Sequence, residues 1–241
     1  MSHTIVNALR PLLAKIDPAL ARLSVDELEL ALGYGHNAGG VGMPSAPARW
    51  EDDVIQRIIP QGATVLDLGC GNGELLATLQ KNKAVRAQGI ELDRDSVFAC
   101  IARGVGVFQI DLDSGLRELT DGSYDYVVLE ETLQTLRRPV ELLQEMLRVG
   151  RRGIVSFPNF AFWKVRLDLL LRGKMPVTEQ LPHRWYDTPN IHLMSLQDFL
   201  DWVQQHKVRI VESHVFAEGL VRPMRDGDNL YAEQCLLVLE R

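Results

Sequence analysis

Hydrophobic and polar residues alternate along most of this chain with two different periods. From Trp50 onward, short apolar runs typical of buried strands alternate with segments whose apolar residues recur at helical spacing. The predicted strands are 65–68, 85–92, 105–110, 124–129, 153–157, 208–215 and 235–240. The predicted helices are 54–59, 74–80, 96–103, 140–148 and 196–205. This order predicts an α/β domain, doubly wound, with a mostly parallel seven-stranded sheet joined by crossover helices.

The start of the chain follows a different pattern. Apolar residues at helical spacing predict one helix within the first 16 residues. Ser24 and Glu27 have the spacing of a capping box, which predicts the start of a second helix. Residues 33–47 hold five glycines and two prolines, which indicates a linker. The sequence thus predicts a short helical appendage with its linker (1–48) and one large domain (49–241).

A glycine-rich motif follows the first predicted strand. Asp67 ends that strand, and glycines at 69, 71 and 73 lead into the next predicted helix. A strand-to-helix turn of this kind presents backbone N–H groups and the positive end of a helix dipole to a ligand. The dinucleotide fingerprint G-x-G-x-x-G would require a small residue where this chain has Glu74. The D-x-G-x-G-x-G pattern instead resembles the first motif of the class I methyltransferases.

The charge of Asp67 indicates which ligand this turn can hold. A carboxylate at the mouth of the turn repels a pyrophosphate and attracts a cation, and one such pair is worth roughly 4 kcal/mol at ~4 Å and an effective dielectric constant of ~20. S-adenosylmethionine carries a cationic ammonium and a cationic sulfonium, while its carboxylate can accept from the helix N-terminus. We therefore expect S-adenosylmethionine, or S-adenosylhomocysteine, as the ligand in preference to NAD.

Two more acidic residues end predicted strands. Glu91 ends the second strand, where a carboxylate can accept both ribose hydroxyls, as it also does in dinucleotide-binding folds. Asp111 ends the third strand, where it can accept from an adenine amino group with Leu112 beside the ring. In doubly wound folds, ligands bind outside these strand ends. The candidate cofactor-binding residues are Asp67, Gly69, Cys70, Gly71, Asn72, Gly73, Glu91, Leu92, Asp111, Leu112 and Leu129.

No catalytic residue can be assigned from the sequence. Methyl transfer requires two reactants held in line and, for some acceptors, a base. After the fourth strand, Thr135 stands where many small-molecule methyltransferases place a histidine. The segment 156–159 lacks the paired prolines and the aromatic residue that mark amino-group methyltransferases. Glu130 and Glu131 could act as bases, but acidic residues there more commonly serve the start of a helix.

Composition restricts the class of protein. Of the 241 residues, 46% are hydrophobic and 24% charged, and the net charge of −6 argues against a general nucleic-acid binder. No apolar run approaches the ~20 residues of a membrane span, and the chain has no signal-peptide pattern. Its three scattered cysteines lack metal-ligand spacing. We therefore expect a cytoplasmic protein without a metal site or a disulfide framework.

Two segments are candidates for docking. Between Arg137 and Lys174 the chain holds nine basic and three acidic residues, so this stretch is about +6 and the remainder about −12. A solvated helix face and a surface for an acidic partner both account for such a run. Residues 181–192, called the insertion below, are polar, aromatic and proline-rich. The insertion is either a structural loop or a cover over the site that binds a substrate or a partner.

A wider set of segments carries a closer resemblance. In order along the chain after the glycine motif, these segments are 132–134, 137–139, 145–160, 170–178 and 185–192. Together they resemble the bacterial methionine-biosynthesis family MetW over roughly residues 50–215. The first 48 residues lie outside the resemblance.

The resemblance implies a class I methyltransferase fold that works in methionine synthesis with MetX, the homoserine O-acyltransferase. It implies an accessory or regulatory protein that binds or activates this partner and senses S-adenosylmethionine. The absent histidine suits a fold retained for binding, although methylation of a carboxylate also needs no base. The alternative is an active S-adenosylmethionine-dependent methyltransferase acting on an unknown small molecule. Asp67 and Glu74 disfavour a third interpretation, an NAD-binding oxidoreductase.

Overall fold

The computed structural model describes most of the chain. The described residues are 18–31, 49–178 and 180–241, together with Asn7, Arg10, Pro11, Leu13 and Ala14. The predicted linker 33–47 and most of the first predicted helix lie outside them. Within these described ranges, no helix is both long and apolar enough to cross a lipid bilayer.

A single mixed sheet forms the centre of the domain. Its strands are β1 (Thr64–Leu68), β2 (Arg86–Glu91), β3 (Gly106–Gln109), β4 (Tyr124–Glu130), β5 (Gly150–Pro158), β6 (Arg209–Ala217), β7 (Leu220–Pro223) and β8 (Ala232–Glu240). Their order across the sheet is β3-β2-β1-β4-β5-β8-β6-β7. The first five strands pair in parallel, whereas β8 is antiparallel to both of its neighbours. The predicted doubly wound, mostly parallel α/β fold is therefore confirmed.

The predicted count of seven strands was wrong, because β7 is an eighth. This short edge strand returns from β6 through a two-residue turn, with Ala217 opposite Leu220. Glu218 and Gly219 in that turn have φ angles of 53° and 77°. Positive φ at both central positions matches the right-handed twist of paired strands. Four residues ending in proline show too little alternation to be recognised as a strand from sequence alone.

Helices cover both faces of the sheet. They are α1 (Val25–Ala31), α2 (Trp50–Ile58), α3 (Glu74–Lys83), α4 (Arg94–Ala102), α5 (Pro139–Val149), α6 (Trp163–Arg172), α7 (Leu196–Gln205) and α8 (Asp228–Tyr231). In β4, Val127 packs in the layer that contains α5 and α7, while Val128 packs in the layer that contains α2 and α3. Successive strand residues point to opposite faces, so a sheet covered on both faces reads as continuous apolar runs.

The described part of the appendage packs on the domain. Ser24 Oγ accepts from the Glu27 N–H at 3.1 Å, and Glu27 Oε2 accepts from the Ser24 N–H at 2.7 Å, so the predicted capping box is confirmed. Val25 and Leu28 of α1 are buried against Leu167 of α6. Helix α6 itself was absent from the predicted elements.

The strand ends define one edge of the sheet. Because β1, β2 and β4 are parallel neighbours, their carboxyl ends meet there. Gln234, near the start of the antiparallel β8, lies opposite Pro158 at the end of β5 and so reaches the same edge. The buried Trp50 Nε1 donates to Gln234 Oε1 at 2.7 Å, which brings the start of α2 to this edge as well.

Candidate functional site

The glycine turn has two glycines that pack and one that faces open space. Gly69, Gly71 and Gly73 all have positive φ, at 79°, 52° and 76°. A Cβ atom on Gly69 would lie 2.7 Å from Thr132 Oγ1, and one on Gly73 would lie 2.8 Å from Cys100 Sγ. A Cβ on Gly71 would meet nothing within 4 Å among the described residues. The backbone at Gly71 is therefore open to a ligand.

Glu91 ties the glycine turn to the end of β2. One carboxylate oxygen accepts from the Gly71 N–H at 2.8 Å. The other accepts from the N–H groups of Leu92 and Asp93 at 2.7 and 2.8 Å. A carboxylate has about four lone-pair sites, so three backbone donors leave little capacity for ribose hydroxyls. Glu91 thus holds the turn in shape, and its contact with a ribose stays a prediction.

Cys70 and Asn72 shape the same turn. The Cys70 N–H donates to the Ile90 carbonyl at 3.0 Å, and Cys70 Sγ lies 3.8 Å from Cys100 Sγ. Burial raises the pKa of the Cys70 thiol, so it stays protonated and packs as a small apolar group. Asn72 Oδ1 accepts from the Glu74 N–H at 3.2 Å, at the first residue of α3.

The other predicted contact residues differ in accessibility. The Ile110 N–H donates to the Glu91 carbonyl, which brings Asp111 beside the end of β2. Asp111 Oδ1 accepts from the Asp113 N–H at 2.9 Å and caps the short 3-10 helix Leu112–Ser114. Leu92 is 60% exposed and Leu112 only 8%. Leu129 is fully buried in the core, so its side chain offers no surface to a ligand in this structure.

Asp67 belongs to a cluster of acidic residues that the sequence did not indicate. This carboxyl cluster consists of Glu51, Asp52, Asp67, Glu130 and Glu131. Asp67 is 4% exposed, and burial together with Asp52 raises its pKa to about 7. Burial raises the pKa of Asp52, although its ion pair with Arg49 opposes the shift. Burial and the neighbouring acids raise the pKa of Glu130 as well.

Arg49 is the cation beside the carboxyl cluster. Its guanidinium pairs with Asp52 at 2.6 Å and also contacts Glu74 at the start of α3. Its backbone is left-handed, with φ 61°, a conformation that few non-glycine residues adopt. The residue thus bridges the start of α2 and the glycine turn, where its guanidinium can donate to a carboxylate.

Glu51 is as deeply buried as Asp67. It is 4% exposed, and its Oε1 has no hydrogen-bond partner in the part of the chain that the structure describes. Burial, reinforced by Glu131, raises its pKa to about 8. A buried polar atom without a partner costs free energy, so it often marks a place where a ligand or water supplies the missing contact.

Glu131 is held in a strained conformation. Its φ angle is 46°, and its N–H donates to the Ser156 carbonyl at 3.1 Å. Glu131 Oε1 accepts from Gln234 Nε2 at 2.6 Å, which continues the bond between Gln234 and Trp50. Left-handed backbone at a non-glycine residue persists only where the surroundings enforce it, and such positions concentrate at functional sites.

Sequence reasoning overlooked Arg49, Glu51 and Asp52 because they precede the first strand. Their positions read as the start of an ordinary amphipathic helix, where acidic residues complement the dipole. The sequence did carry one signal, which is that Glu51 stands next to Trp50 and three residues before Val54, on the apolar side of the helix. Trp50 and Val54 are both buried.

The insertion lies over the segment that follows β4. The N–H groups of Ile191 and His192 both donate to the Gln134 carbonyl, at 2.9 and 3.1 Å. Gln134 is 4% exposed and its Nε2 donates to the Glu131 carbonyl at 2.7 Å. The atoms Gln134 Oε1 and His192 Nε2 are buried and have no partner among the residues described. These contacts hold the end of the insertion against Gln134, and its role as a cover over the cofactor site stays a prediction.

Thr135 and Asn159, which lie in the two segments compared with methyltransferase motifs, have structural partners. Thr135 Oγ1 donates to the Thr132 carbonyl at 2.8 Å. Asn159 is buried, and its Nδ2 donates to the carbonyls of Asn229 and Ala232. Asn159 Oδ1 accepts from the Leu196 N–H at 3.1 Å, which joins β5 to α7. These residues secure the fold around the site.

The basic stretch between Arg137 and Lys174 does not form one surface. Arg151 and Arg152 stand near the start of β5, where they pair with Asp125 and Glu240 at 3.6 and 3.5 Å. Arg172 lies on α6, which follows the opposite end of β5. Nine strand residues span about 26 Å, so the two groups are well separated. The stretch as a single docking surface stays a prediction that the geometry does not favour.

The donor set of the site fits a nucleoside more readily than a metal. Within the described residues, no group of three or more His, Cys, Asp or Glu has the geometry to hold a metal ion. The space that is open at Gly71 gives a zwitterionic ligand room at the turn, and the unpartnered Glu51 Oε1 is a buried acceptor for its cationic group. S-adenosylmethionine carries both charges in its amino-acid part.

Comparisons with known proteins identify the relatives of this arrangement. The model of the family described as "Methionine biosynthesis protein MetW" matches residues 49–239. The bifunctional methionine biosynthesis protein MetXA/MetW of Rhodopirellula baltica is 36% identical over 204 residues, which are 79% of this chain and 32% of the relative. The chain thus spans about a third of that relative's length. Demethylmenaquinone methyltransferase of Bacillus licheniformis is 22% identical, covering 71% of this chain and 82% of the relative.

Solved structures share the fold at lower identity. An S-adenosylmethionine dependent methyltransferase from Mesorhizobium loti matches with a TM-score of 0.60 and 17% identity, covering 81% of this chain and 99% of that one. The match shows that the sheet and its helices have the class I methyltransferase architecture.

Proposed function

This chain belongs to the family of the methionine biosynthesis protein MetW, which gives it a role in methionine biosynthesis. We propose that it acts there as an S-adenosylmethionine-binding accessory protein of a homoserine O-acyltransferase. The nucleoside binds at the glycine turn, and the partner binds on the surface around the insertion. The observation that carries the proposal is the open backbone at Gly71 beside a buried carboxyl cluster.

The charges around the glycine turn support the choice of nucleoside. Asp67 and its acidic neighbours disfavour a pyrophosphate and favour a cation. Arg49 and the N-terminus of α3 provide a complementary place for the carboxylate of the amino-acid part. When bound, the nucleoside would supply an electrophilic methyl group. The side chains of this chain bind and orient it.

The name of the R. baltica relative supports the choice of partner. That name joins MetXA and MetW in one bifunctional chain, and the present chain matches about a third of it. Two activities joined in one polypeptide are held at high effective concentration, which is useful where the parts act together. We infer that the separate chain associates with its acyltransferase non-covalently.

The exposed apolar residues around the insertion support a docking surface there. Trp185 is 77% exposed and packs edge-on against Tyr186, which is 61% exposed. Met175 and Leu193, also exposed, line one pocket together with Trp185. Contiguous apolar surface of this kind marks interaction sites, and aromatic residues dominate the binding energy of such interfaces.

The partnership is tested by co-purification of the acyltransferase with the full chain. We expect Trp185→Ala combined with Tyr186→Ala to weaken the complex by about 100-fold, because two exposed aromatic anchors are removed. Phe98→Ala is the matched control, since Phe98 is an aromatic residue on α4 that is 54% exposed. Loss of the complex in Arg151→Glu with Arg152→Glu, but not in the aromatic variant, would place the partner on the basic surface instead.

The regulatory role is tested by the activity of the acyltransferase. We expect this activity to depend on the added chain and to change as the concentration of S-adenosylmethionine is varied. An acyltransferase that is unaffected by the chain at every nucleoside concentration would refute the accessory role.

A second candidate function is methyl transfer to a small molecule. The observation that favours it is the pair of unpartnered polar atoms, Gln134 Oε1 and His192 Nε2, on the two segments that meet where the insertion packs after β4. Incubation of the pure chain with labelled S-adenosylmethionine and cell extract, without acyltransferase, tests this function. A labelled product that His192→Ala no longer forms would support the methyltransferase, whereas the absence of any product favours the accessory role.

A further inference from the structure

The candidate site carries far more negative than positive groups. The charged groups that act on Glu51 are Arg49, Asp52, Glu130 and Glu131. The groups that act on its neighbours are Asp53, Asp67, Glu74 and Glu91. In the described part of the chain, Arg49 is the basic side chain that acts on the carboxyl cluster, and it is already shared with Glu74.

Packing does not explain this excess of acidic groups over basic groups. Like-charged groups held together in a protein interior repel one another and cost stability. A neutral or apolar side chain of similar size at Glu51 would avoid that cost. The cluster nevertheless brings five carboxyl groups to the edge of the sheet where the glycine turn is open.

Glu51 supplies an independent indication of a ligand. Its side chain is more than nine-tenths buried, and Oε1 has no hydrogen-bond donor among the described residues. The acids that raise its pKa are Glu131 and Asp52, so the carboxyl group points into the cluster. An acceptor that is buried, unpartnered and surrounded by acids is suited to a cation.

We propose that the carboxyl cluster selects the charge of the bound nucleoside, binding the cationic sulfonium S-adenosylmethionine and discriminating against the neutral thioether S-adenosylhomocysteine. The inference rests on the proposed function, since it assumes that this nucleoside enters the site. The two ligands differ by one methyl group and one positive charge, and the charge is what the cluster recognises. A site of this kind reports the level of S-adenosylmethionine without interference from the thioether.

The preference for the sulfonium nucleoside depends on whether the carboxyl groups of the cluster are protonated. The pKa values of Glu51 and Asp67 are raised to about 8 and about 7, so both groups hold protons that a cation would displace. The affinity for the sulfonium form therefore increases as the pH rises from 6 to 8, and its binding releases protons. The thioether form brings no extra charge, so its affinity changes less.

The test is calorimetric titration of the full chain with each nucleoside at pH 6, 7 and 8, in two buffers that differ in ionisation enthalpy. At pH 8 we expect S-adenosylmethionine to bind at least about tenfold more tightly than S-adenosylhomocysteine, with net proton release for the sulfonium form only. At pH 6 the preference should shrink by at least about threefold.

Variants assign the selection to the cluster. Glu51→Gln should reduce the preference several-fold, and Glu51→Asp, which retains the charge, should preserve most of it. Glu141→Gln on α5 is the control, because Glu141 is exposed and pairs only with Arg138 among the described residues. If Glu51→Gln does not fold, Glu130→Gln replaces it.

The outcomes are distinguishable. If neither nucleoside binds at any pH, the proposed function fails and this inference fails with it. If both bind with equal affinity, or if the preference persists unchanged in Glu51→Gln and at pH 6, charge selection by the cluster is refuted while nucleoside binding stands.

Discussion

The two ends of the strand pair β1 and β4 hold acidic residues in opposite environments. At the amino end, Asp125 Oδ2 accepts from the Thr64 N–H and hydroxyl at 2.9 and 2.8 Å, and these bonds lower its pKa. At the carboxyl end, Asp67 and Glu130 face other acids, and their pKa values are raised. The same residue type thus serves the fold at one end and is poised for a ligand at the other.

The difference between the ends follows from their partners. At the edge of the sheet where β1 and β4 begin, acids meet donors or cations: Glu240, at the end of the antiparallel β8, pairs with Arg209 at 2.9 Å and with Arg152 at 3.5 Å. At the carboxyl end, α2 and β4 bring their acids towards one another. Charge that the fold leaves unbalanced is available to a ligand, which is why perturbed pKa values concentrate at functional sites.

The largest effect should come from Gly71→Ala, which disrupts ligand binding at the carboxyl ends of the strands by placing a methyl group in the open turn. We expect the affinity for S-adenosylmethionine to fall by about 100-fold or more, because backbone contact with the ligand is blocked. Gly62→Ala is the matched control: Gly62 has φ 75° and also faces open space, but it lies at the amino end of β1. Equal nucleoside affinity of the two variants in titration would show that Gly71 does not contact the ligand.

Glu51→Gln should reduce the repulsion among the buried carboxyl groups at the carboxyl ends of the strands. The native pKa of about 8 lies above the value of ~4.3 expected in the unfolded chain, so between these values the native state holds a proton that the unfolded state releases. Native stability therefore falls as the pH rises through that window, and the variant lacks this loss. We expect a gain of about 2 kcal/mol at pH 8 that shrinks towards pH 5.

Chemical denaturation at several pH values measures this gain. A variant that is no more stable than the parent at pH 8 would mean that Glu51 finds a partner in solution.

Asp125→Ala should remove the hydrogen bonds from Thr64 that stabilise the amino ends of β1 and β4. The lowered pKa of Asp125 contributes stability above its unfolded value of ~3.9, and this contribution is lost as the pH falls through the native pKa. Because the side chain is partly exposed, we expect a cost of about 1 kcal/mol at pH 7 and almost none near pH 2. Nucleoside affinity should not change. A loss of affinity as large as that of Gly71→Ala would contradict the separation of the two ends.

Arg151→Ala should have the smallest effect. Its pair with Asp125 spans 3.6 Å and its side chain is 75% exposed, so solvent screens the attraction. We expect a change below about 0.5 kcal/mol in thermal or chemical unfolding, and less still at high salt. A larger change would show that the ion pair, more than the bonds from Thr64, stabilises the amino end.

Local patterns were enough to predict most of the fold. The apolar runs of β1 and β4 and the glycine turn between β1 and α3 follow from residues close together in sequence. The chain offered no such signal for β7, whose four residues depend on a turn at Glu218 and Gly219. Helix α6 was also overlooked, and its buried apolar residues belong to two small clusters, one with the appendage and one with Leu181.

The candidate site was predictable only in part. Asp67 and Glu91 stand at strand ends, where the topology of a parallel sheet brings them to one edge. The carboxylate of Glu91 accepts hydrogen bonds from three backbone N–H groups, and this depends on the conformation of the turn. The depth of Leu129 likewise depends on how α5 and α7 cover the sheet.

The sequence by itself determined the parallel sheet, the glycine turn and the sign of the charge beside it, because each is written in residues that are neighbours along the chain. Only the tertiary structure decided that Glu51 and Asp52 of α2 meet Asp67 and Glu130 of the sheet. The physical reason is that burial and mutual repulsion arise between groups far apart in sequence, and no local pattern records the distance between them.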